Sequence, residues 1–525
     1  MHRRTLLAAA LAASLIGASA ARAPAAAQDN APVAAQVTIR ADQPGAQINR
    51  HIFGQFAEHL GAGIYGGVWV GENSPIPNTN GFRNDVIAAL RNLHVPVVRW
   101  PGGCFADVYH WREGIGPRSA RPVKINTTWG GVPETNAFGT HEFMAFAEMI
   151  GADAYINGNV GTGSPQEMAE WMEYMTSNTH STLANLRRQN GRDQPWNVAY
   201  WAIGNETWGC GGNMRPEYYA DVYRQYATFL KAPHDHRPQL IASGGHDAGT
   251  DWVQVLSSTV HHDIDGISHH YYTRPLEQTW DHKGNSTGFG EDQWISTLAN
   301  TMLMEGYISA NVAVLRRNDP QNHIALDVDE WGTWYDPEPG REPGFLYQQN
   351  TIRDALVTAL NFNIFQAHAD RVRMANIAQM INVLQAMILT DGPRMVRTPT
   401  YHAFEMYVPF QDATSLPTEV RTPRYRLVQV SVPSVSVSAA RDTHGHLQLA
   451  LVNLDPNRAA DVSTRVTGAD YQSATGRVLT GPAMDSRNTF DAPDAVTPAP
   501  IEAHRQGDAI VLRLPPKSVV VVTIQ

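Results

Sequence analysis

Cysteine is almost absent from this chain, with 2 in 525 residues. That scarcity excludes a disulfide-dense scaffold and a structural zinc site built from cysteines. Positive charge is also in short supply: 40 Lys and Arg stand against 50 Asp and Glu, a formal net charge of −10. General affinity for nucleic acid or an anionic membrane is therefore not expected. Long apolar runs are missing as well, since none reaches the roughly 20 residues that a bilayer span requires. What is present is apolar and aromatic: 43% hydrophobic residues, with 13 Trp and 18 Tyr. Such a chain can bury a sizeable core, and its length suggests two or three domains.

The first residues carry an address of their own. Met1-His2-Arg3-Arg4 is basic, Leu6 to Ala20 is apolar, and Ala18-Ser19-Ala20 and Ala21-Arg22-Ala23 are small-residue cleavage sites. This order is that of a secretory signal peptide, so residues 1–27 are read as the signal and the start of an Ala/Pro-rich linker. An exported protein, periplasmic or extracellular and free of the membrane after cleavage, is the expectation.

From His51 to about residue 395, short apolar runs alternate with amphipathic segments. The runs are Ile52–Phe56, Val95–Trp100, Ala154–Asn157, Val198–Ile203, Leu240–Ser243, Ile264–Ser268, Ile324–Val328 and Met374–Ala378. Ser164-Pro165-Gln166-Glu167 supplies an N-cap, an N1 proline and an N3 glutamate for one of the intervening helices. Phe143, Phe146, Ala147 and Ile150 repeat at helical spacing in another. Eight such units predict an α/β fold, a (β/α)₈ TIM barrel over 51–395. An open doubly wound sheet is the runner-up, but no Gly-rich phosphate turn follows the first strand. After about 395 the pattern becomes one of alternating β-strands, as in Leu447-Gln448-Leu449-Ala450-Leu451, and predicts a jelly-roll-like β-sandwich over 396–525. Residues 36–50 can add an N-terminal strand to it.

In a barrel of this kind function sits at the C-terminal ends of the strands. Glu206 ends the fourth run in Ile203-Gly204-Asn205-Glu206-Thr207-Trp208, and Glu330 ends the seventh in Asp329-Glu330-Trp331-Gly332. Two carboxylates facing each other across one cleft are what glycoside hydrolysis requires. The neighbouring tryptophans could desolvate the acids and stack on a sugar ring. Taken singly, each Glu could equally be a surface residue beside a helix start.

Six segments along the chain carry a family resemblance. The matching segments are Gly54-Gln55-Phe56-Ala57-Glu58-His59-Leu60-Gly61, Arg99-Trp100-Pro101-Gly102-Gly103-Cys104-Phe105 and Trp201-Ala202-Ile203-Gly204-Asn205-Glu206. Glu330-Trp331-Gly332-Thr333-Trp334-Tyr335, Ala378-Gln379-Met380-Ile381-Asn382-Val383 and Leu514-Pro515-Pro516-Lys517-Ser518-Val519 complete the series. The series runs in order from about residue 45 to the C-terminus, and by it the chain resembles the α-L-arabinofuranosidases of glycoside hydrolase family 51.

The resemblance implies a retaining, exo-acting hydrolase that releases terminal arabinofuranosyl residues from arabinan, arabinoxylan or their oligosaccharides. In it Glu206 matches the acid/base and Glu330 the nucleophile. Retention would place their carboxyl groups roughly 5–5.5 Å apart, against about 6.5–9.5 Å for inversion. Glu58, Cys104, Asn205 and Gln379 match the sugar-binding groups, and Tyr271, rather than Tyr272, is expected to orient the nucleophile. Trp129 and Trp334 are expected to shape the leaving-group side. Cys104 is implied to be a free pocket thiol, with a bridge to Cys210 as the alternative. His59 and His269 are expected near the carboxylates or the sugar. The His261-His262 and His269-His270 pairs point in alternating directions on a strand, so no metal or other cofactor is expected. A homo-oligomer is expected. Two other readings stay open: a related barrel glycosidase acting on β-glucan or xylan, and a non-catalytic carbohydrate-binding protein.

Overall fold

The computed structural model describes residues 31–232, 237–260 and 263–525. The expected signal segment and the His261-His262 pair lie outside these residues. Eight parallel strands close into a barrel in chain order: β1 (Gly54–Phe56), β2 (Val97–Trp100), β3 (Asp153–Gly158), β4 (Tyr200–Ile203), β5 (Gln239–Ala242), β6 (Gly266–Thr273), β7 (Ala325–Thr333) and β8 (Val372–Ile377). All eight apolar runs of the sequence contribute a strand. Val97, Tyr155, Tyr200, Ile241 and Met374 fill the barrel interior away from the mouth.

Helices cover the outside. Pro165–Thr176 begins where Ser164 caps it, the serine hydroxyl accepting from the Glu167 amide, and buries Met168, Trp171, Met172 and Met175. In Thr140–Ile150 the residues Phe143, Phe146, Ala147 and Ile150 are buried, as their spacing requires. The exception to amphipathicity is Ile352–Ala367, buried on nearly every turn. It lies between the barrel strands and the C-terminal sheets, so it has no solvent face.

After β8 come a hairpin, Ile388–Asp391 with Arg394–Arg397, and a helix, Pro399–Tyr407. The sandwich strands begin at Thr414. One sheet has the order Thr418–Arg421, Val33–Arg40, Ala460–Thr467, Ala509–Leu514, His504–Gln506, and the other has six strands centred on Leu447–Asn453 and Ser518–Ile524. Val33, Ala35, Val37 and Ile39 alternate inward and join Leu449, Leu451, Val520 and Val522 in one apolar core. The barrel and sandwich are tied by the Trp294 indole N–H, which donates to the Leu454 carbonyl (2.9 Å), and by Asn363 Nδ2 donating to Ser436 Oγ (3.1 Å).

Strands β6 and β7 extend further than their apolar runs predict. Opposite β6 the register shifts: Ser268 faces Asp327, but His270 faces Glu330. Two residues of β7, Val328 and Asp329, therefore oppose the single residue His269, a β-bulge. The bulge changes which side chains point into the barrel mouth.

Candidate active site

The side chains that matter converge from the C-terminal ends of the barrel strands. Arg99, fully buried on β2, lies at their centre. Its Nη1 donates to Glu330 Oε1 (2.7 Å), its Nη2 donates to Asn205 Oδ1 (2.6 Å), and its Nε lies 3.5 Å from Asp329 Oδ2. Burial alone would depress the guanidinium's pKa, but the Asp329 and Glu330 charges outweigh it and hold Arg99 above its ordinary value. One cation thus fixes residues from β2, β7 and the loop after β4.

His270 on β6 is the second cation. Its Nδ1 lies 2.9 Å from Glu206 Oε1 and 3.5 Å from Glu330 Oε2, and its Nε2 lies 3.1 Å from Asp329 Oδ1. Burial works against protonation, but Glu330, Asp329 and Glu206 together push the imidazole up to about 10. Asp329 in turn stays below its usual range: burial opposes ionisation, but Arg99 and His270 prevail. Tyr155 adds a donated hydrogen bond to Asp329 (2.8 Å).

Glu206 and Glu330 each have one carboxylate oxygen in a cluster with a His270 nitrogen whose three atoms lie within 4.8 Å of one another. Such a trio could in principle share a cation, but a protonated imidazole donates and does not ligate. Glu206 has φ +39°, the left-handed region that a non-glycine residue rarely adopts. The chain then doubles back, Gly209 and Gly211 amides donating to the Glu206 carbonyl (2.7 and 3.1 Å). A Cβ on Gly211 would lie 1.8 Å from the Asn205 carbonyl oxygen, so only glycine allows this turn. Asp107, buried, accepts from the amides of Val160, Gly161 and Asn205 (2.8, 2.9 and 3.2 Å) and braces the loops after β3 and β4.

Glu58 follows β1 and is buried. It accepts from the Phe105 amide and the Trp129 indole (2.9 Å each) and from Gln379 Nε2 (3.0 Å). Burial, and secondarily the Glu330 charge, push its carboxyl up to about 7. The loop after β2 passes between the two acids: a Cβ on Gly103 would meet Glu330 Oε1 at 3.1 Å and Glu58 Oε1 at 3.2 Å. Trp334 stands edge-on to Tyr272 (4.9 Å between rings), and the half-exposed Trp280 stands edge-on to Trp334 (5.6 Å).

Glu58, Cys104, Trp129, Asn205, Glu206, Glu330, Trp334 and Gln379 are therefore brought together. Tyr271 is not. Its hydroxyl donates to the Asn300 carbonyl (2.8 Å) on the helix side, and Tyr272 donates to Glu330 Oε2 (2.7 Å). Adjacent strand residues face opposite ways, and the register that puts His270 in the mouth puts Tyr272 there too. The same alternation removes His269, buried with neither ring nitrogen hydrogen-bonded, while His59 pairs with Glu134 (2.9 Å). The tryptophan beside Glu330 also turns away: Trp331 packs among Phe362, Phe365 and Phe404. The expected free thiol at Cys104 is corrected likewise, because the turn after Glu206 brings Cys210 back over the loop after β2 and the two cysteines form a disulfide, Cα–Cα 5.6 Å.

Sequence reasoning did not find Arg99, Asp107, His270, Tyr272, Asp329 or Trp280. Arg99 and Asp329 stood inside quoted motifs, but nothing in the pattern distinguished a buried ion pair from a surface charge.

The chain is similar to known proteins along most of its length. Residues 89–285 match the model of the α-L-arabinofuranosidase 1 domain, and residues 329–518 match that of the α-L-arabinofuranosidase C-terminal domain. An intracellular exo-α-L-arabinofuranosidase of Bacteroides ovatus is 46% identical over 494 residues, 94% of this chain and 96% of that protein. The crystal structure of the family 51 arabinofuranosidase from Xanthomonas axonopodis pv. citri superimposes with a TM-score of 0.93 at 55% identity, covering 94% of this chain and all of that one. The arabinose complex of the Thermotoga maritima α-L-arabinofuranosidase gives 0.83 at 30% identity, covering 93% and 99%. The expectation of export is overturned by the Bacteroides relative, which is named an intracellular enzyme. A basic start followed by an Ala- and Leu-rich run is a compositional pattern, weaker than likeness along nearly the whole chain.

Two outcomes follow from the carboxylate cluster. Tyr272→Phe removes a hydrogen bond to a charged group, worth about 1.5–3 kcal/mol, and should lower kcat/KM roughly 10- to 150-fold, whereas Tyr271→Phe should leave it within about twofold. Steady-state hydrolysis by the two variants checks this, and equal losses would contradict the assignment. His270, with its folded pKa raised to about 10 from an ordinary 6.5, binds a proton more tightly folded than unfolded. Its contribution to stability is fully present below about pH 6.5 and is lost as pH rises through about 10. Denaturant unfolding across that window should show falling stability, and His270→Gln should flatten the slope.

Proposed function

The chain belongs to the α-L-arabinofuranosidases of glycoside hydrolase family 51, and on that premise we propose that it releases terminal non-reducing α-L-arabinofuranosyl residues from arabinan, arabinoxylan or their oligosaccharides by a retaining double displacement. Glycoside hydrolase chemistry itself comes with the family. The observation that carries the mechanistic reading is the approach of Glu206 and Glu330, with one oxygen of each inside the 4.8 Å cluster. So close an approach of one oxygen to the other supports the shorter carboxyl separation of a retaining pair, roughly 5–5.5 Å, over the about 6.5–9.5 Å of an inverting one.

Glu330 is the nucleophile. Arg99 on Oε1 and Tyr272 on Oε2 hold its carboxylate in one orientation and stabilise its charge. In the first step a Glu330 oxygen bonds to C1 of the arabinofuranosyl group, the C1–O bond to the leaving group breaks, and Glu206 gives its proton to the departing oxygen. In the second step Glu206 takes a proton from water, the water oxygen bonds to C1, and Glu330 is expelled as a carboxylate. His270 contacts both acids throughout and holds positive charge between them.

Glu58 and Gln379, fixed against each other, accept from and donate to the sugar hydroxyls. Asn205, held by Arg99, directs its amide N–H toward the 2-hydroxyl, a contact that strengthens in the transition state. Trp129 closes the Glu58 side, and Trp334 faces the leaving group. A homo-oligomer belongs to the same reading; a sedimentation coefficient matching the monomer would remove it.

The test is hydrolysis of an aryl α-L-arabinofuranoside. Wild type should cleave it, and Glu206→Ala and Glu330→Ala should each lose about 10²- to 10⁴-fold or more. Azide should rescue Glu206→Ala as an α-configured arabinosyl azide, because it intercepts the covalent intermediate. It should rescue Glu330→Ala as a β-configured one, because it replaces the nucleophile. The opposite pattern would exchange the two roles, and a wild type that ignores this substrate but cleaves a β-xyloside or β-glucoside would overturn the specificity.

A further inference from the structure

The mechanism leaves the Cys104–Cys210 pair unused, although both sulfurs are beside the acid/base. Glu206 Oε2 lies 3.6 Å from Cys210 Sγ and 3.9 Å from Cys104 Sγ. The bond joins the loop after β2 to the loop after β4 across a sequence separation of 106 residues. A disulfide sulfur carries neither a proton nor a charge, so in this state the pair offers Glu206 only a neutral wall. Cys210 is exposed and Cys104 half-buried, so a thiolate can reach the bond from solvent.

We propose that Cys104, Cys210 and Glu206 form a redox-gated site for a soft divalent cation of the zinc or cadmium type, closed in the disulfide and opened by reduction, that switches the acid/base off. An external dithiol supplies two electrons and two protons. Its thiolate attacks the exposed Cys210 sulfur, the Cys104 sulfur leaves as a thiolate, and the second thiol of the reagent resolves the mixed disulfide into a cyclic one. Both cysteines are then thiols. Zinc-type ions displace the two thiol protons and bind thiolates at about 2.3 Å, which in a tetrahedron sets the ligand atoms roughly 3.8 Å apart. The two sulfurs and the nearest Glu206 oxygen already lie within 4.8 Å of one another, so side-chain rotation suffices, with water as the fourth ligand. Thiolate ligands select soft cations over magnesium or calcium. A Glu206 oxygen bound to a cation can neither give nor take the proton that the reaction needs.

The nearby Glu206–His270–Glu330 cluster is the competing site. It lacks a soft ligand, and both His270 nitrogens face carboxylates to which a protonated ring donates. It does not depend on redox state, which separates the two experimentally. The inference rests on the proposed role of Glu206 only for its effect on rate.

The experiment uses the whole protein, untreated or reduced with dithiothreitol and desalted without oxygen, and titrates cadmium chloride. Thiols counted after denaturation should rise from zero to two on reduction. One equivalent of cadmium should then produce the ultraviolet thiolate-to-cadmium charge-transfer band and lower aryl α-L-arabinofuranoside hydrolysis at least tenfold, reversed by a chelator. The untreated protein should show neither effect. Cys210→Ser should abolish the band, and Glu206→Gln should retain it with weaker cadmium affinity. Two thiols in the untreated protein, no band after reduction, or equal inhibition of both forms would each overturn the proposal. If the untreated protein fails on the arabinofuranoside altogether, the proposed function falls, and the band still decides the metal site.

Discussion

The buried guanidinium of Arg99 is the constraint on which the active site depends. It reaches Glu330 and Asn205 at hydrogen-bond distance and faces Asp329. Taking these charges out of water is expensive, and removing one partner of such a set typically costs about 3–5 kcal/mol, because the remaining charge stays buried alone. Arg99 therefore cannot be exchanged for a neutral residue without either protonating a carboxylate or opening the barrel mouth. With His270 it brings two positive charges into a space that four carboxylates border: Glu58, Glu206, Asp329 and Glu330. Three donors stabilise the charge of Glu58, but burial and the Glu330 charge outweigh them and hold its carboxyl up at about 7.

The bulge in β7 makes that charge arrangement possible. Along a regular strand, consecutive residues point to opposite faces, and Asp329 and Glu330 could not both meet the same cations. One extra residue against β6 lets Asp329 reach Tyr155, Arg99 and His270 while Glu330 reaches Arg99 and Tyr272. Asp329 is the inner carboxylate and does no more than position the imidazole and guanidinium. Glu330 is the outer one and meets the pocket.

Much of this was legible in the chain. Eight apolar runs marked the eight strands, because a barrel strand buried on both faces must be apolar. Glu206 and Glu330 followed from the rule that chemistry gathers at strand ends. What escaped was set by register. Tyr271 and Tyr272 are chemically equal and adjacent, so only the pairing of β6 with β7 decides which one faces inward, and that pairing contains an irregularity that no local pattern records. Trp331 was misjudged for the same reason. The disulfide stood only as the alternative to a free thiol because it depends on a turn: Glu206 at positive φ and Gly211 packed on Asn205 bring together two cysteines that the sequence holds far apart. The N-terminal composition suggested export, and likeness along the chain to an intracellular relative outweighed it.

The strand Val33–Arg40 has a consequence for synthesis. It is made before any part of the barrel, yet its partners lie in the sandwich, with Ile39 and Thr467 separated by 428 residues. At roughly 5–20 residues per second, about 20–90 s pass on the ribosome before the parallel partner emerges. During that time the barrel can close, while an alternating apolar strand waits unpaired beside it, open to capture by the wrong edge. Among the described residues, the first strand to be translated is thus one whose sandwich partners are made only after the whole barrel.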